Sequence, residues 1–340
     1  MMPQNDCGPT EFGFYVNSSA GLLICAGGFE QRSVALTSRL RKTNFSSERG
    51  LLLRYQNQPA AENELNFQRM KPRMQLLCKQ QPEVIAVNDD QSIQTSQSLQ
   101  GKIAELCYCL ESQTAYVDIS GMTHLIATSV LHACLSCRLR TTVVYTEAKW
   151  YFPSRAMWRH VVRAWRSGEG GSARQFLQSA GLKAVHILPA FSGNFRPGHQ
   201  TCLIVLAGHE PNRVEGLVDD YAPGALIVLY GISPHRSLQW RTQLSKELHA
   251  ELFSQWHVRE EVTSTLRVDE VLRTLEREFQ TIKDRYDVAV APQCSKMQAV
   301  ATYLFWRRHP EVQLIFTSPV SFNPKRYSRG AGRTFLYQIA

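Results

Sequence analysis

The sequence predicts an α/β protein made of two tandem Rossmann-like domains, each built on a parallel sheet, that arose by internal duplication. Three observations support this fold class: the length of the chain, the alternation of short apolar segments with helical patterns, and the recurrence of these segments in the second half. The chain has 340 residues, which is long for a single hydrophobic core. We therefore expect two domains.

Four apolar blocks occur in the same order in both halves. The first pair is LLICAGGFEQR at residues 22–32 and LIVLAGHEPNR at residues 203–213, in which Glu30 aligns with Glu210. The other pairs are 51–55 with 226–230, 116–123 with 290–297, and 143–146 with 314–317. The offset between the halves falls from 180 residues at Glu30 and Glu210 to 171 at Val143 and Leu314, and it changes by only a few residues from one pair to the next. Because four blocks keep their order and spacing, we infer an internal repeat.

Each block is a run of aliphatic or β-branched residues that ends in Gly, Ser, Thr or Pro. Such runs are typical of strands buried on both faces of a parallel sheet. Helical patterns, with apolar residues three and four positions apart, lie between the blocks at 125–139, 239–253, 268–286 and 297–305. Strands that alternate with helices predict parallel βαβ units. We place one domain at 1–167, a linker rich in Gly and Pro at 168–200, and a second domain at 201–340.

Composition and charge indicate which kinds of partner the protein could bind. The chain has 38 basic and 29 acidic residues, a net charge of +9 that suits phosphate-bearing partners. Weak contact with nucleic acid is expected through two basic segments, residues 325–333 and a helical face with the sequence spacing Arg155, Arg159, Arg163 and Arg166. A solvated charged face is the ordinary alternative. The chain shows no recognisable nucleic-acid-binding motif.

The sequence also indicates a cytoplasmic protein that does not associate with membranes. No apolar run approaches the roughly 20 residues of a membrane span, and the first residues lack the pattern of a secretory signal. Nine cysteines, an odd number, are expected to be reduced thiols. Cys134 and Cys137 lie in an apolar helical pattern, which favours core packing over a metal site. We predict no metal and no resident cofactor.

The first group of candidate site residues follows the first strand of each repeat, because open parallel sheets bind ligands at the carboxyl ends of their strands. Gly28 would let a ligand approach the backbone, Glu30 suits a ribose hydroxyl, and Arg32 suits a phosphate. Glu210 and Arg213 recur in the second half. The alternative is a capping glutamate paired with an arginine in the first helical turn.

The second group lies at the turns DISGMT, residues 118–123, and APQCSKM, residues 291–297. Ser120, Thr123 and Ser295 offer hydroxyls and backbone amides to a phosphate, and Lys296 supplies positive charge. Asp118 suits a ribose or a metal, or it caps the following helix. We find no nucleophile elbow, Walker loop or metalloprotease motif, so catalytic residues stay unknown and enzymatic activity stays open.

The turn VDISGMT, residues 117–123, which opens an apolar helix, resembles the corresponding turn of the CARF (CRISPR-associated Rossmann fold) superfamily. The resemblance extends to the first glycine-bearing strand end and to the order of strands and helices. The family's turn combines two glycines with a lysine, whereas 120–123 lacks the lysine and 294–296 lacks the glycines. CARF proteins sense cyclic oligonucleotides and related nucleotides in antiviral defence, typically as dimers with the ligand on the two-fold axis. The resemblance implies that the tandem halves form such a pocket within one chain.

We therefore expect a nucleotide-sensing or accessory protein of a prokaryotic antiviral defence system, which binds a nucleotide or cyclic oligonucleotide between its halves and acts on a protein partner. One alternative is a nucleotide-processing enzyme, either a phosphodiesterase resembling a ring nuclease or a glycosidic hydrolase that uses Glu30 or Glu210 as acid or base. The other is a protein-interaction scaffold with a vestigial pocket. The residues expected to bind the ligand are Gly28, Glu30, Arg32, Asp118, Ser120, Thr123, Glu210, Arg213, Ser295 and Lys296.

Overall fold

The computed structural model describes residues 9–11, 19–56, 60–167 and 179–339. The chain forms two compact α/β units. The first unit comprises Met1–Tyr151 and Tyr327–Ala340, and the second comprises Phe152–Arg326. In the parts of the chain that the structure describes, no helix has both the length and the apolar composition of a membrane span.

Strands and helices alternate along most of the chain, as predicted. The strands are β1 (Thr10–Glu11), β2 (Ser19–Ala26), β3 (Ser46–Tyr55), β4 (Glu83–Val87), β5 (Thr114–Asp118), β6 (Arg140–Tyr151), β7 (Ser179–Ala180), β8 (Ala184–His186), β9 (Thr201–Ala207), β10 (Ala225–Ile232), β11 (Val258–Ser264), β12 (Asp287–Gln293), β13 (Gln313–Leu314), β14 (Phe316–Ser318), β15 (Ser321–Phe322) and β16 (Ser328–Ile339). The α-helices are Ala35–Leu40, Ala60–Leu77, Ser92–Cys107, His124–Ser136, Arg155–Arg166, Pro211–Tyr221, Trp240–Ser254, Val268–Ile282 and Lys296–Arg308.

The sheet of the first unit has the order β1-β16-β6-β5-β2-β3-β4. Strands β2 to β6 run parallel to one another, whereas β16 is antiparallel to both β6 and β1. Counted along the chain, the five parallel strands have the spatial order 3-2-1-4-5. This order occurs in doubly wound α/β sheets, which bind ligands where the strand order reverses. Here that point lies between β2 and β5.

The sheet of the second unit has the order β11-β10-β9-β12-β13, and all its strands are parallel. Counted along the chain, this order is again 3-2-1-4-5, with the reversal between β9 and β12. Two antiparallel ribbons, β8 with β14 and β7 with β15, belong to the same unit. The prediction of parallel sheets is confirmed.

The four apolar blocks occupy corresponding places in the two units. They fall on β2 and β9, on β3 and β10, on β5 and β12, and on β6 and the pair β13 and β14. In the central strand of the first sheet, Leu22, Leu23 and Ile24 are fully buried. Successive residues of a strand point to opposite faces, so both faces of this strand are covered.

The structure divides the chain differently from the boundaries that we predicted. Residues 328–339, which we assigned to the second domain, pair with β6 in the first unit. The predicted linker 168–200 also contains ordered parts of the second unit, since β7 and β8 pair with β15 and β14. Phe191 is buried there against Trp306, with ring centroids 4.7 Å apart. Residues 168–178 of the predicted linker lie outside the described residues.

One predicted helix ends early. We expected a helix over 268–286, but it ends at Ile282. The backbone amides of Arg285 and Tyr286 both donate to the carbonyl of Ile282, each at 3.0 Å. This turn closes the helix and leads directly into β12.

Candidate ligand sites

In the first unit, the glycines predicted to admit a ligand bring two turns of the protein together. A Cβ atom on Gly28 would lie 2.1 Å from the carbonyl oxygen of Gly121, and one on Gly121 would lie 2.4 Å from that of Ala26. The Gly28 carbonyl accepts hydrogen bonds from Ser33 Oγ at 2.9 Å and from Asn66 Nδ2 at 2.7 Å. The backbone of the protein thus occupies the space that Gly28 leaves.

Glu30 and Arg32 form a buried ion pair with an N–O distance of 2.8 Å and side chains that are 9% and 7% exposed. Arg32 also donates to the hydroxyl of Tyr145 at 3.0 Å and to the carbonyl of Thr146 at 3.3 Å. The second oxygen of Glu30 accepts from Ser328 Oγ at 2.6 Å. Burial lowers the pKa of Arg32, but Glu30, Tyr145 and Tyr151 together raise it by more, so its pKa lies above the usual value. The pairing that we gave as the alternative is present.

The turn after β5 is also held by the protein itself. Asp118 Oδ1 accepts from the amide of Ser120 at 3.0 Å, and Ser120 Oγ accepts from the amide of Thr146 at 2.8 Å. Thr123 caps the helix His124–Ser136 by accepting from the amide of Ile126 at 3.3 Å. These contacts use the predicted residues to position the start of the helix.

Three residues that contact the turns after β2 and β5 were not predicted. The amide of Thr123 donates to the hydroxyl of Tyr55 at 2.9 Å, and its hydroxyl donates to Asp89 Oδ1 at 3.0 Å. Burial, followed by the charge of Asp89, raises the pKa of Tyr55. Tyr55 ends a repeated block, so the sequence repeat could have indicated this residue. Asp89 and Asn66 lie outside the repeated blocks, and the repeat could not indicate them.

The second unit repeats part of this arrangement. A Cβ atom on Gly208 would lie 2.3 Å from the carbonyl oxygen of Gln293, so the turns after β9 and β12 also touch. Glu210 is buried and accepts from both the amide and the hydroxyl of Ser179. The first-unit relation between Glu30 and Ser328 therefore recurs between Glu210 and Ser179.

The two units differ in the contacts of the arginine that follows the first parallel strand. Arg213 is half-buried in the first turn of the helix Pro211–Tyr221, and its buried Nε has no hydrogen-bond partner. Across the described part of the chain, its guanidinium forms no ion pair with Glu210 or with any other carboxylate. Arginine follows glutamate by two positions in the first unit and by three in the second. The extra residue places the two side chains differently on the helical turn.

The connection from strand to helix is shorter after β12 than after β5. In the first unit, the helix begins at His124, six residues after the end of β5. In the second unit, it begins at Lys296, three residues after the end of β12. Part of this difference in connection length arises because β12 is longer than β5. Ser295 caps the second helix through a reciprocal capping box with Gln298, at 3.1 and 3.2 Å. By its role as cap, Ser295 corresponds to Thr123, whereas our alignment had matched Met297 to Thr123.

Ser295 and Lys296 remain half-buried at the start of this helix. Ser295 Oγ donates to the carbonyl of Thr265 at 2.7 Å. The neighbouring Gln298 is almost fully buried, and its Nε2 has no hydrogen-bond partner. This turn therefore combines a helix N-terminus and a lysine with an unsatisfied amide donor.

Two further histidines of the second unit were not predicted. His209, which follows Gly208, contacts Arg241 through both ring nitrogens, at 3.2 and 3.1 Å. Burial and then the Arg241 charge hold the pKa of His209 well below its usual value. His249 is fully buried, its Nδ1 lies 2.8 Å from the carbonyl oxygen of Ser245, and burial lowers its pKa to about 4. Both rings are neutral at neutral pH.

Within the described ranges, no three His, Cys, Asp or Glu side chains come together as ligands for a metal ion. Cys134 is fully buried in the helix His124–Ser136. A comparison of the chain with protein-family models finds no matching family, and a comparison with curated proteins finds no significant match.

Proposed function

We propose that this chain is a nucleotide-sensing or accessory protein and that the phosphate of its ligand binds at the carboxyl edge of the second sheet. The observation that carries this proposal is the difference between Arg32 and Arg213. Arg32 is buried and paired with Glu30. Arg213 is half-buried, and its Nε atom, which is itself buried, has no hydrogen-bond partner. An unsatisfied buried donor costs about 1–3 kcal/mol, which a phosphate oxygen would offset.

The neighbourhood of Arg213 suits an anion. Arg213 follows β9 and Lys296 follows β12, two adjacent strands whose carboxyl ends meet where the strand order reverses. The helix that begins at Lys296 directs its first backbone amides toward the same edge, and such amides attract phosphate. Two cations and a helix terminus therefore favour a phosphate-bearing ligand.

The contacts of the two glutamates favour a sensor over a hydrolase. The enzyme alternative assigned acid–base chemistry to Glu30 or Glu210. Each carboxylate accepts a hydrogen bond from a serine, and Glu30 also pairs with Arg32. These contacts favour structural roles for both residues. The first unit, with its crevice closed by its own side chains, fits the vestigial pocket of the scaffold alternative.

The resemblance to the CARF superfamily supports the ligand class. On that basis we propose a nucleotide or cyclic oligonucleotide as ligand, a role in prokaryotic antiviral defence in the cytoplasm, and a protein partner that responds to the bound state. A bound ligand can change how the partner responds only if the ligand has different affinities for two conformations of this protein.

We also infer that both units are Rossmann-like and descend from one ancestral unit. Beyond the matching strand orders, an antiparallel segment recurs, which pairs with β6 in the first unit and with β14 and β15 in the second. Ser328 pairs with Tyr151, and Ser179 pairs with Phe322. Each serine is followed two positions later by a glycine with positive φ, 68° at Gly330 and 60° at Gly181.

The duplication implies that the two copies have exchanged these segments. Residues 179–186 follow the first copy along the chain but pair with β14 and β15 of the second unit. Residues 328–339 follow the second copy but pair with β6 of the first unit. The arrangement corresponds to a strand-swapped dimer joined into one chain.

A thermal-shift screen against mononucleotides, dinucleotides and cyclic oligonucleotides tests the ligand class, with mass spectrometry of the recovered compound. A ligand at 100 times its dissociation constant should stabilise the protein by about 2.7 kcal/mol. A shift with intact ligand supports the sensor, and a shift with cleaved ligand supports the enzyme alternative. The absence of a shift with every compound contradicts the proposal.

A further inference from the structure

The helix Arg155–Arg166 in the second unit has a row of exposed cations. Arg155, Arg159 and Arg163, the arginine row, are four positions apart and therefore lie on one face. The helix sequence RAMWRHVVRAWR contains no acidic residue. No ion pair of these three arginines is found with the described carboxylates. The side chain of Arg166, the fourth arginine of the predicted face, lies outside the described residues.

The face next to the arginine row packs against the protein. Trp158 stacks on Trp240 with ring centroids 5.5 Å apart, and its indole nitrogen donates to Glu247 at 3.1 Å. Val162 is buried against Leu244 and Leu248. Because this apolar face is covered, the helix cannot insert it into a lipid interface in the manner of a membrane-surface helix.

The start of the helix is held as well. Arg241 donates to the carbonyls of Phe152 and Pro153, each at 3.0 Å, immediately before the helix begins. The guanidinium of Arg326 lies 5.9 Å from the centroid of the Phe152 ring, and the exposed Lys325 precedes it. The positive surface therefore continues beyond the helix, on a fixed support.

We propose that the arginine row binds the phosphate backbone of a nucleic acid without reading its base sequence. Arginine offers a planar fork of donors that matches phosphate oxygens, and all three cations of the row are arginines. At 1.5 Å per residue the row spans about 12 Å. One strand of a duplex carries roughly three or four phosphates over that length. Unpaired cations at this spacing on a packed helix gain affinity by releasing the counterions of the nucleic acid.

Binding of a fluorescently labelled 24-base-pair DNA, and of one of its single strands, tests the proposal by anisotropy between 50 and 200 mM salt. The test variant is Arg155→Gln/Arg159→Gln/Arg163→Gln in the full chain. The matched control is Arg267→Gln/Arg273→Gln/Arg308→Gln, which removes the same charge from three exposed arginines that are already in ion pairs. A third variant replaces the row with lysines.

The row variant should reduce the slope of log K against log salt by about 1 for each arginine removed and weaken binding at least tenfold at 100 mM salt. The control should keep the wild-type slope, and the lysine variant should retain most of the affinity. Circular dichroism and thermal unfolding establish that all variants are folded. Failure of the wild type to bind either probe at 50 mM salt, or equal weakening by the row and control variants, overturns the proposal.

Discussion

Ser328 donates a hydrogen bond of 2.6 Å to Glu30, a residue 298 positions earlier in the chain. Ser179 and Glu210 form the equivalent pair in the second unit. Each glutamate follows the first parallel strand of its sheet. Each serine lies on an antiparallel segment, which pairs with β6 in the first unit and with β15 in the second. The two glutamates that we predicted to bind ligand thus tie these segments to the sheets.

Replacing Glu30 with Gln should destabilise the first unit strongly. The substitution leaves the buried Arg32 charge without its partner, which costs about 3 kcal/mol or more. Ser328→Ala removes one hydrogen bond and should cost about 1 kcal/mol. Glu64→Gln is the control, because its pair with Arg54 is exposed and contributes less than about 1 kcal/mol. Urea unfolding measures all three, and equal effects of Glu30→Gln and Glu64→Gln would contradict the buried-pair account.

The close approach of the two turns in the first unit predicts opposite effects of two glycine substitutions. Gly28→Ala places a Cβ 2.1 Å from a backbone oxygen and should destabilise by about 3 kcal/mol. Gly101 lies inside the helix Ser92–Cys107, where an added Cβ would meet nothing within 4 Å. Gly101→Ala should therefore stabilise by up to about 1 kcal/mol. Thermal midpoints of the two variants that shift in the same direction would contradict this packing.

The repeated blocks predicted β2, β3, β5 and β6 and their counterparts because a strand covered on both faces requires an uninterrupted apolar run, such as Leu22 to Ile24. The edge strands β4 and β11 lie outside the blocks and were not predicted. The exchanged segments were not predictable in this way. Strand β7 has two residues and β8 has three, too few for a pattern, and the repeat does not specify which copy a segment joins.

The sequence indicated where the candidate residues lie along the chain, but not which groups of the protein their side chains contact. Arg32 follows β2, the first parallel strand, and lies in a short 3-10 helix at Gln31–Val34. Its partners Tyr145 and Thr146 lie 113 and 114 positions away, so local sequence could not indicate that they occupy its guanidinium. The same limit applies to Asp89, which reaches Thr123 from outside the repeated blocks.

The buried His249 predicts a loss of stability in mild acid. Its pKa of about 4 in the folded protein lies below the usual value of about 6.5 for an unfolded chain. The unfolded state therefore binds a proton first, and stability falls by about 1.4 kcal/mol per pH unit from pH 6.5 down to about pH 4. The neutral His209 acts in the same direction.

His249→Phe isolates this contribution, because a phenylalanine can keep the stack on Phe253. The difference in unfolding free energy between wild type and variant should decrease as the pH falls from 6.5 to 4 and stay constant above 6.5. A difference that does not change with pH would contradict a neutral, buried His249.

The exchange of segments predicts that a cut chain stays together. A specific protease site inserted between residues 198 and 199 divides the chain between β8 and β9. Each fragment then carries the exchanged segment of the other unit, since β7 and β8 pair with β15 and β14 of the second unit and β16 pairs with β6 of the first. The two fragments should co-elute in native buffer and separate only in denaturant. Their separation in native buffer would show that the exchange is wrong.

Titration calorimetry with the nucleotide that gives the largest thermal shift tests the central claim, a phosphate site in the second unit. Arg213→Ala and Lys296→Ala should each weaken binding at least tenfold, since a hydrogen bond to a charged group contributes about 1.5–3 kcal/mol. Thr123→Ala, at the equivalent helix cap of the first unit, should leave the dissociation constant within about twofold, well under 1 kcal/mol. If Thr123→Ala abolishes binding while Arg213→Ala and Lys296→Ala bind as tightly as the wild type, the site lies in the first unit and the account is wrong.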